Sequence, residues 1–177
     1  IRDTNSTTSF AGRDELIAAA AEIAFESYFK SYIKNTKHRI VTARAGNVIG
    51  GGDWSMNRII PDCVKYMVKK KKVKIRNPKA SRPWQHVLEI LNGYLKLAKK
   101  LYLDEKINGQ SFNFGPKNTE IVPVKDILKY IKNNWDGFDW IKSKNVIENE
   151  TEMLVLNTKK AEKTLNWKTS LNVEAAT

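Results

Sequence analysis

The stretch RAGNVIGGGDW, residues 44–54, decides how this chain is read. It closes a run of apolar and β-branched residues, RIVTARAGNVIG (39–50), and opens into three consecutive glycines. Such a run predicts a buried strand ending near Asn47, with a glycine loop after it. Glycine lets backbone N–H groups come close to an anion because no Cβ intervenes. The spacing is neither G-x-G-x-x-G nor G-x-x-x-x-G-K-[ST]. What this loop borders therefore has to be read from the segments around it.

Working outward, strands and helices alternate. On the N-terminal side, residues 1–11 are polar and read as loop. Residues 14–34 are rich in helix formers. Ile17, Ala21, Ala24 and Tyr28 recur at helical spacing, as do Phe25, Phe29 and Ile33, and Asp14 is placed to cap the start. On the C-terminal side, 58–71 predicts a helix with Pro61 in its first turn, where proline is tolerated. VKIRN (73–77) predicts a strand and PKASRPW (78–84) a loop. QHVLEILNGYLKLAKKLY (85–102) predicts an amphipathic helix with Val87, Leu91, Tyr94, Leu95 and Ala98 on its apolar side. SFNFG (111–115) predicts a strand, 122–135 a helix, MLVLN (153–157) a strand and 158–167 a helix. This alternation defines an α/β chain.

Composition bounds the rest. The 177 residues, 41% hydrophobic and 28% charged, suffice for one domain with a core. No apolar run reaches membrane-spanning length and no signal-peptide pattern is visible, so a cytoplasmic setting is expected. The single cysteine, Cys63, sits among apolar neighbours and is expected to be buried and inert. His38 and His86 lack ligand spacing, so no metal site is expected. The net charge of +12 suits an anionic partner. Much of it is lysine in helical segments such as 65–75, which reads as solvated surface. Zinc-finger spacing and RNP-like motifs are absent, and nucleic acid is not the expected partner.

Five segments together carry a family resemblance: RAGNVIGGGDW, RIIPD (58–62), IRNPKASRPWQHVLE (75–89), FNFGP (112–116) and KKAEKTLNWK (159–168). In order and spacing they resemble the CDP-glucose 4,6-dehydratases, a branch of the extended short-chain dehydrogenase family of nucleotide-sugar enzymes. The resemblance runs from about Glu22 to Glu174. It implies the C-terminal part of a doubly wound Rossmann-like fold with its substrate-binding lobe, as one domain over 14–177 after an atypical junction at 1–13. It also implies a lyase that removes water from CDP-D-glucose to give CDP-4-keto-6-deoxy-D-glucose, with NAD as hydride carrier.

Two family features have no counterpart here. The sequence contains no G-x-x-G-x-x-G loop for the NAD pyrophosphate. The Tyr-x-x-x-Lys pair expected in the first helix is also missing. Counting forward from Asp14 places Leu16 and Ala20 there; counting back from Glu22 places Asp14 and Ala18. No catalytic residue is therefore assigned, the chain alone is expected to be inactive, and no tight NAD binding is expected. A partial sheet exposes edges, so either self-association or aggregation is expected, or an N-terminal segment rebuilt to cover the gap, with the run Ala18 to Ala21 as part of that cover.

By the resemblance, Asn47 faces the phosphates and sugar of the nucleotide sugar. The plain alternative is a turn asparagine with positive φ. Gly50, Gly51 and Gly52 are then explained by backbone geometry and close approach to that ligand. Arg82 is assigned to the diphosphate, which its guanidinium fork matches, against the alternative of an exposed loop arginine. Arg58 and Arg76 are weaker assignments of the same kind. Trp84 is assigned chiefly to the core. His86, at a helix start, is a cap or packed side chain rather than an acid or base, and is assigned to substrate binding. Asn113 binds sugar or phosphate, or shapes the turn before Gly115. The expected ligand is a CDP-sugar. The rival readings are a basic module that binds polyanions or nucleic acid, and a dehydratase or epimerase for another nucleotide sugar.

Overall fold

The computed structural model describes residues 13–117, 121–143 and 153–177, with side chains from residue 19 onward. The chain begins with α1 (Arg13–Tyr28), which continues into a π-helical turn, Phe29–Ile33. Then come β1 (Thr42–Ala45), β2 (Asn47–Ile49), α2 (Ile59–Val68), β3 (Val73–Ile75), β4 (Ser81–Arg82), β5 (Trp84–His86) and α3 (Val87–Leu103). A 3-10 turn at Glu105–Ile107 leads to β6 (Ser111–Phe114), β7 (Val122–Pro123), α4 (Val124–Asn134), β8 (Trp140–Lys142), α5 (Lys159–Leu165) and α6 (Val173–Ala176). The α/β class holds.

Three strand pairs are parallel, β1 with β6, β2 with β5 and β3 with β8; β4 pairs with β7 antiparallel. The predicted single strand over 39–50 is in fact two strands that change partner at Gly46. The Gly46 N–H donates to Phe114 O at 3.0 Å, and the next N–H, of Asn47, donates to Pro83 O at 2.8 Å. A Cβ at Gly46 would lie 2.3 Å from that same Pro83 oxygen, so only glycine fits. Asn47 accordingly starts β2 rather than ending a strand. The predicted loop at 78–84 contains β4 and the start of β5. The predicted strand at 153–157 is reduced to one bridge between Met153 and Ser81.

Two cores follow. Strand alternation sorts β1 and β6 by face. Phe112 and Phe114 are fully buried and pack with Ile90, Leu97, Ala161, Leu165 and Trp167, residues from α3, α5 and the segment after it. The Phe114 ring meets Trp167 edge-on at 4.9 Å and Tyr94 at 5.4 Å. Arg44 and Asn113, one residue along each strand, are paired in register on the other face. There α1 arrives, with Glu22 ion-paired to Arg44. The second core joins Cys63 of α2, Val73 and Ile75 of β3, Trp84 of β5, and Ile127, Leu128 and Ile131 of α4.

Two helix faces differ from expectation. In α1 and its extension, Glu22, Phe25, Phe29 and Ile33 are half-buried, while Ala20, Ala21, Ala24 and Tyr28 are exposed. The apolar face that packs is the Phe25–Phe29–Ile33 one, and the alanine run is not a cover at Ala20 and Ala21. Asp14 lies inside α1 rather than before it. The 1–12 part of the expected junction, and the side chains of Ile17 and Ala18, lie outside the described residues. In α3 the buried positions are Glu89, Ile90, Gly93 and Leu97, while Leu91 and Leu95 are exposed. Gly93 admits the Phe114 ring, whose Cδ1 would be 2.6 Å from a Cβ there. Glu89 Oε1 accepts the Ser170 and Leu171 N–H groups at 2.8 and 2.9 Å. Sequence reading discounts a glycine and a glutamate as core; here they define the packed face. Among the described residues no helix is long and apolar enough to cross a membrane.

Glu89→Ala leaves two amides without their acceptor and is expected to lower stability by about 2 kcal/mol, with Glu89→Gln recovering part, as read from urea midpoints. Cys63 gives a pH-dependent test. Burial pushes its thiol up to about 12, from an ordinary value of 9.0. The unfolded chain loses this proton near 9 and the native chain near 12. Between those values the native state binds more protons, so stability falls as pH rises through that window. Alkylation at pH 8 is expected only on unfolding, and Cys63→Ala is expected to flatten the alkaline decline.

Candidate functional site

Where β1 hands over to β2, a cavity of about 430 Å³ opens, lined on one side by Ala45, Gly46, Asn47 and Val48. Crevices at the carboxyl ends of parallel strands are where open α/β sheets take ligands. Four of the six sequence-assigned residues line it: Asn47, Arg58, Arg76 and Arg82. Each is delivered by a different element. Asn47 is the first residue of β2, opposite Trp84 in register. Arg58 is the N-cap position of α2, in extended conformation, and Arg76 directly follows β3. Arg82 is in β4, paired with Val122, and its Nη1 donates to Ser81 O at 2.9 Å.

Asn47 is not among the residues with positive φ, which include Asn57, Lys70 and Asn166. The turn-asparagine alternative therefore fails, and Asn47 is a strand residue facing the cavity. The structure adds Asp53, Asn57, Asp62, Lys74 and Asn77 to the wall. Of these, Lys74 was signalled by alternation: in VKI it is exposed between two buried neighbours. The wall thus holds four cations, Arg58, Lys74, Arg76 and Arg82, against two carboxylates, Asp53 and Asp62. Hydrogen bonds from the Ser55 side chain and backbone hold Asp53 below the usual carboxylate range, so it is ionised at neutral pH. Trp84 packs in the core and also lines the cavity; its indole Nε1 is buried without a hydrogen-bond partner. A buried unpaired N–H is costly, and a ligand acceptor would relieve it.

Two assigned residues stand apart. His86 caps α3, its Nδ1 accepting the Leu88 N–H at 3.2 Å, and does not line this cavity. Asn113 lines a different cavity, of about 500 Å³, with Arg44, Ser111 and residues of α1. Its Nδ2 donates to Asn157 O at 3.1 Å. The three glycines also separate. A Cβ at Gly50 would lie 2.7 Å from Val87 Cγ1, so its constraint is packing against the start of α3. Gly52 takes φ +81°, and neither it nor Gly51 has an atom within 4 Å of a Cβ position.

A dinucleotide pyrophosphate needs a glycine turn running straight into free helix N-terminal amides. The described residues do not fit that demand. Residues 53–58 separate the glycine loop from α2. At α3 the Leu88 amide is taken by His86. At α4 the Val124 and Lys125 amides donate to Ala80 O and Pro78 O, both at 2.9 Å. Among the described residues no group of three or more His, Cys, Asp or Glu side chains could hold a metal ion.

Parallel strand pairs with helices on them, and a cavity at a strand switch, define a Rossmann-like domain of partial extent. Comparison with known proteins agrees. Residues 18–115 match the NAD dependent epimerase/dehydratase family. CDP-glucose 4,6-dehydratase of Salmonella typhimurium is 36% identical over 159 residues, which are 88% of this chain and 43% of that protein. The UDP-glucuronic acid 4-epimerase of Bacillus cereus, solved with UDP-glucuronic acid and NAD, superposes with a TM-score of 0.80 at 16% identity, over 99% of this chain and 53% of that one. The dTDP-glucose 4,6-dehydratase of Bacillus anthracis, solved with NAD, gives 0.73 at 15% identity, over 99% and 52%. The chain belongs to the NAD dependent epimerase/dehydratase family. It spans about half the length of these relatives.

Because the glycine loop is separated from α2 by residues 53–58 and the N-termini of α3 and α4 are internally occupied, calorimetric titration of NAD into this chain is expected to show no micromolar binding. A tight, saturable heat would contradict that reading.

Proposed function

We propose that this chain carries the nucleotide-sugar-binding part of a CDP-glucose 4,6-dehydratase-like lyase and holds the diphosphate of a CDP-hexose in the cavity between Asn47 and Arg82. The observation that carries the reading is the convergence of Arg58, Lys74, Arg76 and Arg82 on one cavity at the strand switch. Guanidinium groups pair with phosphate oxygens through two parallel N–H donors, which fixes orientation as well as charge. The relative of Salmonella typhimurium supports the choice of CDP-glucose.

In this reading the chain's residues bind and orient. Arg82 and Arg76 neutralise the diphosphate, Asn47 hydrogen-bonds the sugar-phosphate end, and the indole N–H of Trp84 finds its acceptor. NAD supplies hydride transfer in the intact enzyme, and no step of that chemistry is assigned to residues here. The +12 charge is served mainly by solvated lysines, including Lys70 and Lys71, which are exposed at the end of α2.

Titration of CDP-glucose at fixed salt tests this. Arg82→Ala is expected to weaken binding by about 1.5–3 kcal/mol, one to two decades. Arg82→Lys is expected to restore the charge but not the fork, and so only part of the loss. The double variant Lys70→Gln, Lys71→Gln is expected to bind like the parent. If Arg82→Ala binds normally while the lysine variant loses affinity with a steep salt dependence, the site is wrong and diffuse polyanion binding replaces it.

A further inference from the structure

The second cavity, of about 500 Å³, lies on the α1 side of the β1–β6 pair and has the size of a small-molecule site. It shares no lining residue with the cavity at the strand switch. Four separated segments of this chain wall it: α1 with the turn that follows, β1, residues 109–113 and residues 157–160. Five cations line it, Lys30, Lys34, Arg44, Lys159 and Lys160, against two carboxylates among the described residues. Both carboxylates are engaged, Glu22 with Arg44 and Glu26 with Lys30. The charge that remains attracts an anion.

The floor asks for something more specific than charge. Asn113 is 7% exposed, and its Oδ1 has no hydrogen-bond partner. The orientation of this amide is fixed from its other end, because Nδ2 donates to Asn157 O at 3.1 Å and an amide oxygen cannot donate. A buried acceptor left unpaired is costly, and a ligand donor would relieve it. Ser111 also lines the cavity; its Oγ accepts from Thr42 Oγ1 at 2.8 Å, which leaves its own O–H to donate. From these features we infer that the cavity is a binding site for a small phosphate ester that also carries a hydroxyl or an amine. The phosphate lies among the lysines, all four of which are exposed at the rim, and the O–H or N–H group reaches Asn113 Oδ1. A phosphate ion held at the rim would leave Asn113 unmet, and an uncharged polyol would leave the lysines unmet. The inference does not rest on the CDP-hexose reading of the other cavity.

Calorimetric titration at fixed salt tests the site, with glucose 6-phosphate, AMP, inorganic phosphate and glucose as probes. One or both esters are expected to bind saturably, roughly tenfold or more tighter than inorganic phosphate, and glucose is expected not to bind. The tighter ester identifies the donor as hydroxyl or amine. Lys34→Gln with Lys159→Gln, both at exposed positions, is expected to weaken that ester by roughly tenfold, and Arg82→Ala to leave it unchanged. The side-chain amide signal of Asn113 in a nitrogen–proton correlation spectrum is expected to move with the ester and to stay with inorganic phosphate. That signal reads the floor without a substitution that would also break the bond to Asn157. Three results would each overturn the inference: no saturable binding of either ester, inorganic phosphate binding as tightly as the esters with the Asn113 signal unmoved, or ester binding lost in Arg82→Ala and kept in the lysine variant. CDP-glucose is expected to bind the lysine variant like the parent, so the failure of either site is read separately from the other.

Discussion

The carbonyl of Pro83 lying against Gly46 is the constraint on which the rest depends. At this peptide the backbone leaves β6 and takes up β5 within one residue, through the Gly46 and Asn47 amides. Any side chain at 46 would meet the Pro83 oxygen, so the two segments can approach only at a glycine. The consequences reach both cores. β1 stays over the aromatic cluster of Phe112, Phe114 and Trp167, and β2 is carried toward the lobe that contains Ile49, Trp84 and α4. The cavity opens beside this handover, and its wall begins at Ala45, Gly46, Asn47 and Val48. The same prolyl residue separates β4 from β5, which places Arg82 on the cavity side by side with Trp84.

Segments dominated by local preference were legible in the sequence. α2, with Pro61 buried in its first turn, and α4 fall within a few residues of expectation. What was not legible depends on partners distant in sequence. β4 and β7 are two residues long and have no period of their own; they exist because Ser81 and Arg82 find Pro123 and Val122. The break at Gly46 looks like continuous strand until Pro83 is brought to it. The packed face of α3 was misread because its anchors are Glu89 and Gly93, neither of which counts as apolar. Glu89 is buried by the amides it satisfies, and Gly93 by the ring it admits.

The candidate site divides along similar lines. Asn47, Arg58, Arg76 and Arg82 were assigned from the sequence and its resemblance, and the fold brings them to one cavity. Asn113 was assigned to the same region because it ends a strand beside a Gly-Pro turn. Alternation overrules that proximity: with Phe112 and Phe114 turned into the aromatic core, Asn113 turns toward α1. His86 is two residues from Trp84, but it stands at the junction with α3, where the unpaired Leu88 amide claims its ring.

That capping bears on the anion recognition proposed for this chain. A helix N-terminus offers phosphate a cluster of amides and a favourable dipole. Here α3 closes its own N-terminus with an imidazole, and α4 closes its own with the carbonyls of Pro78 and Ala80. The cavity is bordered by the N-terminus of α2, which has no side-chain cap, and three of the four cations beside it are arginines, although the chain as a whole favours lysine. Lysine is a hydrated point charge on a flexible stem, suited to solubility and long-range attraction; arginine presents donors in a plane that must match its acceptor. The distribution separates the two tasks. Under the proposed function, lysines at the end of α2 and along α3 set the field in which the anion approaches, while the arginines at the strand switch select the anion and its orientation.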